Sequence, residues 1–117
     1  MSYVMLIVEP VEQRGQRTLA EGQAAYNSML GYAEKLKTRG VLKSAESLLA
    51  QDRAVRVQKR AGEKRLVDGP FAEAKEMIGG FFLLDVKTRE EAVAIAADCP
   101  AAEWCTVEVR ELGPCFA

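Results

Sequence analysis

The chain contains no histidine. That absence excludes a Ser-His-Asp triad and every His-based zinc site. It also removes the side chain that titrates nearest neutrality when unperturbed. Any proton chemistry here must come from a carboxylate, Lys, Tyr or Cys in a shifted environment. Cysteine is scarce as well. Cys99, Cys105 and Cys115 are odd in number and show no CxxC spacing, so three reduced thiols are expected and no metal. No phosphate loop is present, since Gly79-Gly80 lacks the GxxxxGK[ST] frame. Long apolar runs are missing too. Residues 3–8 are apolar, but Glu9-Pro10 ends them, so neither a signal peptide nor a membrane span is expected, and the reading is a soluble cytoplasmic protein.

What is present is ordinary for a globular chain. The 117 residues fit one domain spanning 1–117, with 49% apolar and 28% charged residues. Net charge is -1, and the basic residues are mostly interleaved with acids (Glu34, Lys35, Lys37; Lys59, Arg60, Glu63, Lys64). A nucleic-acid binder would show a basic balance or patch, so no nucleic-acid partner is expected.

Hydrophobic patterning places the elements. Tyr3 to Val8 reads as a strand apolar on both faces, and Glu9 to Arg17 as a loop. Thr18-x-x-Glu21 is a capping-box pattern opening a helix whose stripe is Leu19, Tyr26, Met29, Leu30, Ala33 and Leu36; Gly40 closes it. Val41 to Leu49 reads as a second strand. Val55 to Lys59 and Lys64 to Val67 form a hairpin about Ala61-Gly62-Glu63, with Val55 and Val57 expected inward. Met77 to Val86 is another strand apolar on both faces. A second capping-box pattern at Thr88 and Glu91 opens a short helix ended by Cys99-Pro100, and Thr106 to Leu112 is the last strand. The order is β-α-β, a hairpin, then β-α-β, which predicts an α+β, ferredoxin-like βαββαβ fold with an extra hairpin. Two helices cover one sheet face. Phe81 and Leu83 nevertheless point opposite to Phe82 and Leu84, so a second copy is expected against the open face, giving a homodimer closed as a dimeric α/β barrel.

One stretch concentrates chemistry: DGPFAEAKE, residues 68–76. Asp68-Gly69-Pro70 is a turn with a mechanism, since Asp bonds the backbone ahead, Gly permits positive φ and Pro fixes its own φ. Phe71 is expected to plug a core gap. Ala72 to Glu76 favours one helical turn, which would set Glu73 and Glu76 on one face beside Lys75. Close carboxylates can share a proton and raise one pKa toward neutrality. Asp68, Glu73 and Glu76 are therefore the candidate acid/base residues. Pro70, Phe71, Lys75, Gly79 and Gly80 are the candidate ligand-binding residues. The bland reading of the same residues is a rigid corner with solvated charges.

DGPFAEAKE closely resembles the signature DGPFAETKE of the DGPF family, within the YCII-related superfamily. Tyr3 to Val8, Gly40-Val41-Leu42, Gly79-Gly80-Phe81, Asp85-Val86, Cys99-Pro100-Ala101 and Val107 to Arg110 resemble the family's other recurring pieces, in order. The resemblance implies a ferredoxin-like core, a dimeric α/β barrel, and a functional link to extracytoplasmic-function sigma factors. Some members of the wider group carry a His-Asp pair in a cleft; a chain without histidine has no such pair. Position 74 departs as well, Ala74 standing where the family has Thr.

Two functions follow as expectations. The first is a small-ligand-binding or regulatory module. The second is a cofactor-free small-molecule enzyme (lyase, isomerase or monooxygenase-like) using a loop carboxylate. No cofactor is expected in either. Gly80 to Leu84 faintly resembles the aromatic strand of RNA-recognition domains, but the flanking basic residue is missing and the aromatics are needed for packing. Trp104 is read as a packing residue.

Overall fold

The computed structural model describes residues 2–117. It has β1 (Ser2–Pro10), α1 (Leu19–Thr38), β2 (Leu42–Ser47), β3 (Val55–Arg60), β4 (Glu63–Asp68), β5 (Glu76–Asp85), α2 (Arg89–Ala97) and β6 (Thr106–Glu111). Four strands form one sheet in the order β2-β5-β1-β6, antiparallel throughout. With β3 and β4 set aside, this is the strand order of a ferredoxin-like α+β fold, in which each helix connects two strands that flank a third.

Strand parity assigns the faces. Tyr3, Met5, Ile7, Phe82 and Leu84 are buried in one cluster with Tyr32 and Leu36 of α1 and Ala92, Ile95 and Ala96 of α2. Both helices therefore cover the same face. The Tyr32 hydroxyl donates to the Ile95 carbonyl at 2.5 Å, tying the two helices together. Burial, aided by the charges of Cys99 and Asp98, pushes the Tyr32 hydroxyl's pKa upward. The alternate residues, Val4, Leu6, Val8, Phe81 and Leu83, lie on the other face, and only partly buried. Across that face one row reads Glu46, Phe81, Leu6, Glu108 from edge to edge.

The helix caps follow the sequence with one difference. Thr18 and Glu21 form the full reciprocal box. At α2 only half of it forms: Thr88 accepts from the Glu91 N–H. Glu9 and Pro10 belong to β1 rather than to a loop.

The hairpin departs most from expectation. β3 and β4 pair only with each other, as a separate two-stranded sheet. Val55 and Val57 are 53% and 59% exposed rather than inward, because no helix or sheet lies against them. The hairpin is an arm, and it stretches the molecule. The radius of gyration is 16.0 Å, against about 13 Å for a compact chain of this length. The extents are 46 × 42 × 18 Å.

Candidate functional site

The sequence alternation that builds β1 also builds the site. Tyr3, Met5 and Ile7 face the core, and the next residue of that parity is Glu9, which is 6% exposed. An acid so buried demands a partner. Arg14, held by a short 3-10 turn at Arg14–Gln16, supplies it. Its Nε lies 2.5 Å from Glu9 Oε1. Its Nη1 donates to the Leu48 carbonyl at 2.8 Å and its Nη2 reaches the Gly79 carbonyl at 3.4 Å. The guanidinium thus joins β1, the end of β2 and β5 at one point.

Space for the Glu9 carboxylate exists because residue 79 has no side chain. A Cβ there would sit 2.7 Å from the Glu9 carboxyl carbon and 2.8 Å from both oxygens. The β1–β5 register shifts at this point: Ile7 pairs with Gly80 and Val8 with Ile78, leaving Gly79 as a bulge. The glycine required at 79 is a consequence of the acid at 9.

Glu9 and Arg14 line a cleft of about 820 Å³ between α1 and the sheet. Ile7, Phe82, Met29 and Ala33 contribute apolar wall, and Tyr26 and Leu30 lie toward solvent at 52% and 49% exposure. The α1 stripe expected to pack in the core is thus divided: Leu36 is buried and Met29 and Ala33 pack against the core, while Leu19, Tyr26 and Leu30 border the cleft, and the buried tyrosine is Tyr32, outside that stripe. Arg17 is a second cation in the lining. Its guanidinium stands 5.6 Å from the ring centre of Trp104, an attraction worth roughly 0.5–1 kcal/mol at exposed sites. Among the described residues no acid lies within salt-bridge reach of Arg17. Trp104, expected as a packing residue, does pack against the core and also forms cleft wall. Gln13 Nε2 donates to its carbonyl at 2.6 Å. Near Glu9, burial together with the charges of Glu9 and Cys99 pushes the Cys105 thiol up to about 11. Burial raises the Cys99 thiol too. Among the described residues no three His, Cys, Asp or Glu side chains gather in a way that could hold a metal ion.

The residues singled out in 68–80 divide in two. Gly79 and Gly80 line the cleft. Asp68, Pro70, Glu73, Lys75 and Glu76 are exposed and do not. Phe71 is 7% exposed but lies outside the main core cluster. The Arg56 guanidinium covers it, 3.7 Å from its ring centre, and Arg56 Nη1 also meets Glu73 at 3.2 Å. The expected helical turn does not form. The Ala74 N–H closes a tight turn onto the Phe71 carbonyl, and Glu76 already belongs to β5, opposite Pro10. Glu73 and Glu76 therefore do not share a helix face. The Glu9–Arg14 pair was missed, although one signal was legible: an acid continuing the buried parity of a strand.

Residues 1–115 match the family model of the YCII-related domain. The chain belongs to the YCII-related domain family. An uncharacterised protein of Rhizobium meliloti (strain 1021) is 30% identical over 114 residues, covering 96% of this chain and 92% of that one. Among solved structures, a 5-chloro-2-hydroxyhydroquinone dehydrochlorinase from Burkholderia phenoliruptrix AC1100, in complex with 2,5-dihydroxybenzoquinone, is similar with a TM-score of 0.54 and 15% identity, covering 97% of this chain and 94% of that one. At that identity the likeness speaks to the fold. No helix of the described residues is long and apolar enough to cross a membrane.

Proposed function

We propose that this YCII-related chain binds a small organic acid with a ring or other apolar body in the cleft between α1 and the sheet. The observation that carries the reading is Arg17, a cation with no acid in salt-bridge reach, held over Trp104 beside a largely apolar wall. A pocket of this kind holds an apolar body and orients it through few polar groups. Arg14 is engaged by Glu9 and two carbonyls, so Arg17 is the cation left to meet an anionic group. Asp68, Glu73 and Glu76 serve the corner and the base of the arm in this reading. The test is a thermal-shift screen of small aromatic and aliphatic acids. Hits should stabilise wild type and Glu73→Gln alike and lose most of their effect on Arg17→Ala. Equal stabilisation of Arg17→Ala by every hit would overturn the reading.

A second reading is a cofactor-free enzyme in which Glu9 takes the proton role first assigned to the loop acids. Two observations favour it. Glu9 sits in the cleft lining, and among the described residues no hydrogen bond reaches its Oε2. A protein sharing the fold is a dehydrochlorinase solved with a hydroxylated quinone. Glu9→Gln should then abolish turnover of a hydroxylated aromatic substrate while leaving its binding measurable.

Within the family we place the chain in the DGPF branch on residues 68–76, as a cytoplasmic two-fold dimer in a sigma-factor-linked setting. Support for the dimer is the apolar strip Val4, Leu6, Val8, Phe81 and Leu83 on the helix-free sheet face. A standard interface hides about 800 Å² per partner. Sedimentation at micromolar concentration tests it, and a single subunit there would remove the dimer from the reading.

A further inference from the structure

The β3–β4 arm is the least explained part of the molecule. Every residue of both strands is exposed. A lone two-stranded hairpin is marginal in water, yet this one is fastened rigidly at its base. The Gly69 N–H donates to the Ala54 carbonyl at 2.8 Å. Arg56 is clamped between Phe71 and Glu73. A Cβ on Gly69 would lie 1.8 Å from the Gln51 carbonyl oxygen, so the chain passes here with no room for a side chain.

The register sorts the arm's two faces. One carries Arg56, Gln58, Arg60, Glu63, Arg65 and Val67. The other carries the pair Val55–Asp68 at the base, then the pair Val57–Leu66, then the pair Lys59–Lys64 toward the tip. Val57 and Leu66 are each 59% exposed. An apolar pair followed by a lysine pair, on a stiffly based ribbon, is built to touch something.

Charge indicates what. Of the 16 basic and 17 acidic residues, five and two lie in 55–68, so the arm carries +3 and the rest of the chain -4. The arm's complement is thus the body of this same chain, and in the structure the arm does not lie on its own body. Acids also stand at the rim of the apolar sheet face, Glu46 on the edge strand β2 and Glu108, 4.0 Å from the Arg110 Nε, on the edge strand β6, in the row that holds Phe81 and Leu6. We propose that the arm is a clasp for a second copy: Val57 and Leu66 pack on the partner at the margin of its open sheet face, and Lys59 and Lys64 meet the acids of that rim. The clasp rests on the two-fold dimer proposed above, and extends it from two facing sheets to a reciprocal exchange of arms.

The test is the dimer dissociation constant of the full chain by analytical ultracentrifugation over a salt series. Val57→Asp with Leu66→Asp should weaken the dimer by roughly 100-fold or more. Lys59→Glu with Lys64→Glu should weaken it roughly tenfold and flatten its salt dependence. Adding Glu46→Lys and Glu108→Lys to that second variant should recover most of the loss, a coupling that destabilisation alone would not produce. Far-UV circular dichroism checks that each variant folds; if the aspartate variant fails, the charge-swap series decides alone. A wild-type monomer would overturn the dimer and the clasp together. A wild-type dimer indifferent to all arm variants would overturn the clasp and leave the facing sheets. Arm-dependent binding of an oligonucleotide, with dimerisation unaffected by the lysine changes, would also overturn it.

Discussion

Two of the acid–arginine pairs in this chain sit in opposite worlds. Glu9 is 6% exposed and bound to Arg14. The Glu73 side chain is 77% exposed and touches Arg56. The first pair is placed by a strand's parity, a bulge and an obligatory glycine. The second is placed by a tight turn at the foot of an arm. Burial separates their energetics. An exposed pair contributes about 0–1 kcal/mol, whereas removing one member of a buried pair leaves its partner's charge uncompensated. A motif dense in charge was therefore a poorer guide to the cleft than a single acid in an apolar strand.

The sharpest way to break this contrast is at the glycines. Gly79→Ala should displace the Glu9 carboxylate and cost about 1–3 kcal/mol, in the range of overpacking. Ligand-induced stabilisation should fall with it. Denaturant unfolding reads the first and thermal shift the second, and a silent Gly79→Ala would mean that the Glu9–Gly79 contact is not tight. Next comes Glu9→Ala. It strands Arg14, which is one-third exposed, so the loss should be about 2 kcal/mol, below the 3–5 of a fully buried pair. Glu73→Gln, at the other pole, should change stability by less than about 0.5 kcal/mol. If the two substitutions cost the same, the comparison fails.

The thiols sharpen the same division by reactivity. Cys115 is exposed, Cys105 intermediate and Cys99 buried. At pH 8 a thiol reagent should modify Cys115 promptly, with Cys105 slow because its thiol titrates at about 11. The sign of the linked stability follows. A thiol raised in the fold helps the native state fully below its unfolded value near 8.5, and that help is lost as pH climbs from there through about 11. Folding stability should thus decline on the alkaline side. Cys105→Ser should flatten that decline, which unfolding curves at pH 8 and pH 10 would measure.

Much of the fold was legible because its signals are local. Apolar runs on both faces of β1 and β5, the Thr18–Glu21 box and the Gly40 stop all leave marks within a few residues. The arm's independence was not legible. Val55 and Val57 alternate like any half-buried strand, and nothing nearby says that no helix or sheet lies against them. The helical turn expected at 72–76 yielded to β5, whose pairing with β1 extends back to Glu76 and Pro10. The cleft was half visible. Gly79 and Gly80 were marked for close approach, but what approaches Gly79 is Glu9, seventy positions earlier, and what approaches Gly80 is the Glu46 carbonyl of β2; only the strand register brings them there.

That single missing methyl group also constrains how the chain can vary. Positions 9 and 79 are coupled: a side chain at 79 displaces the carboxylate at 9 unless that acid has been shortened or replaced, and Arg14 then loses its carboxylate. Neutral drift among relatives should pass through residue 9 before residue 79, and a homologue bearing a bulky residue at the bulge should have dissolved the ion pair altogether.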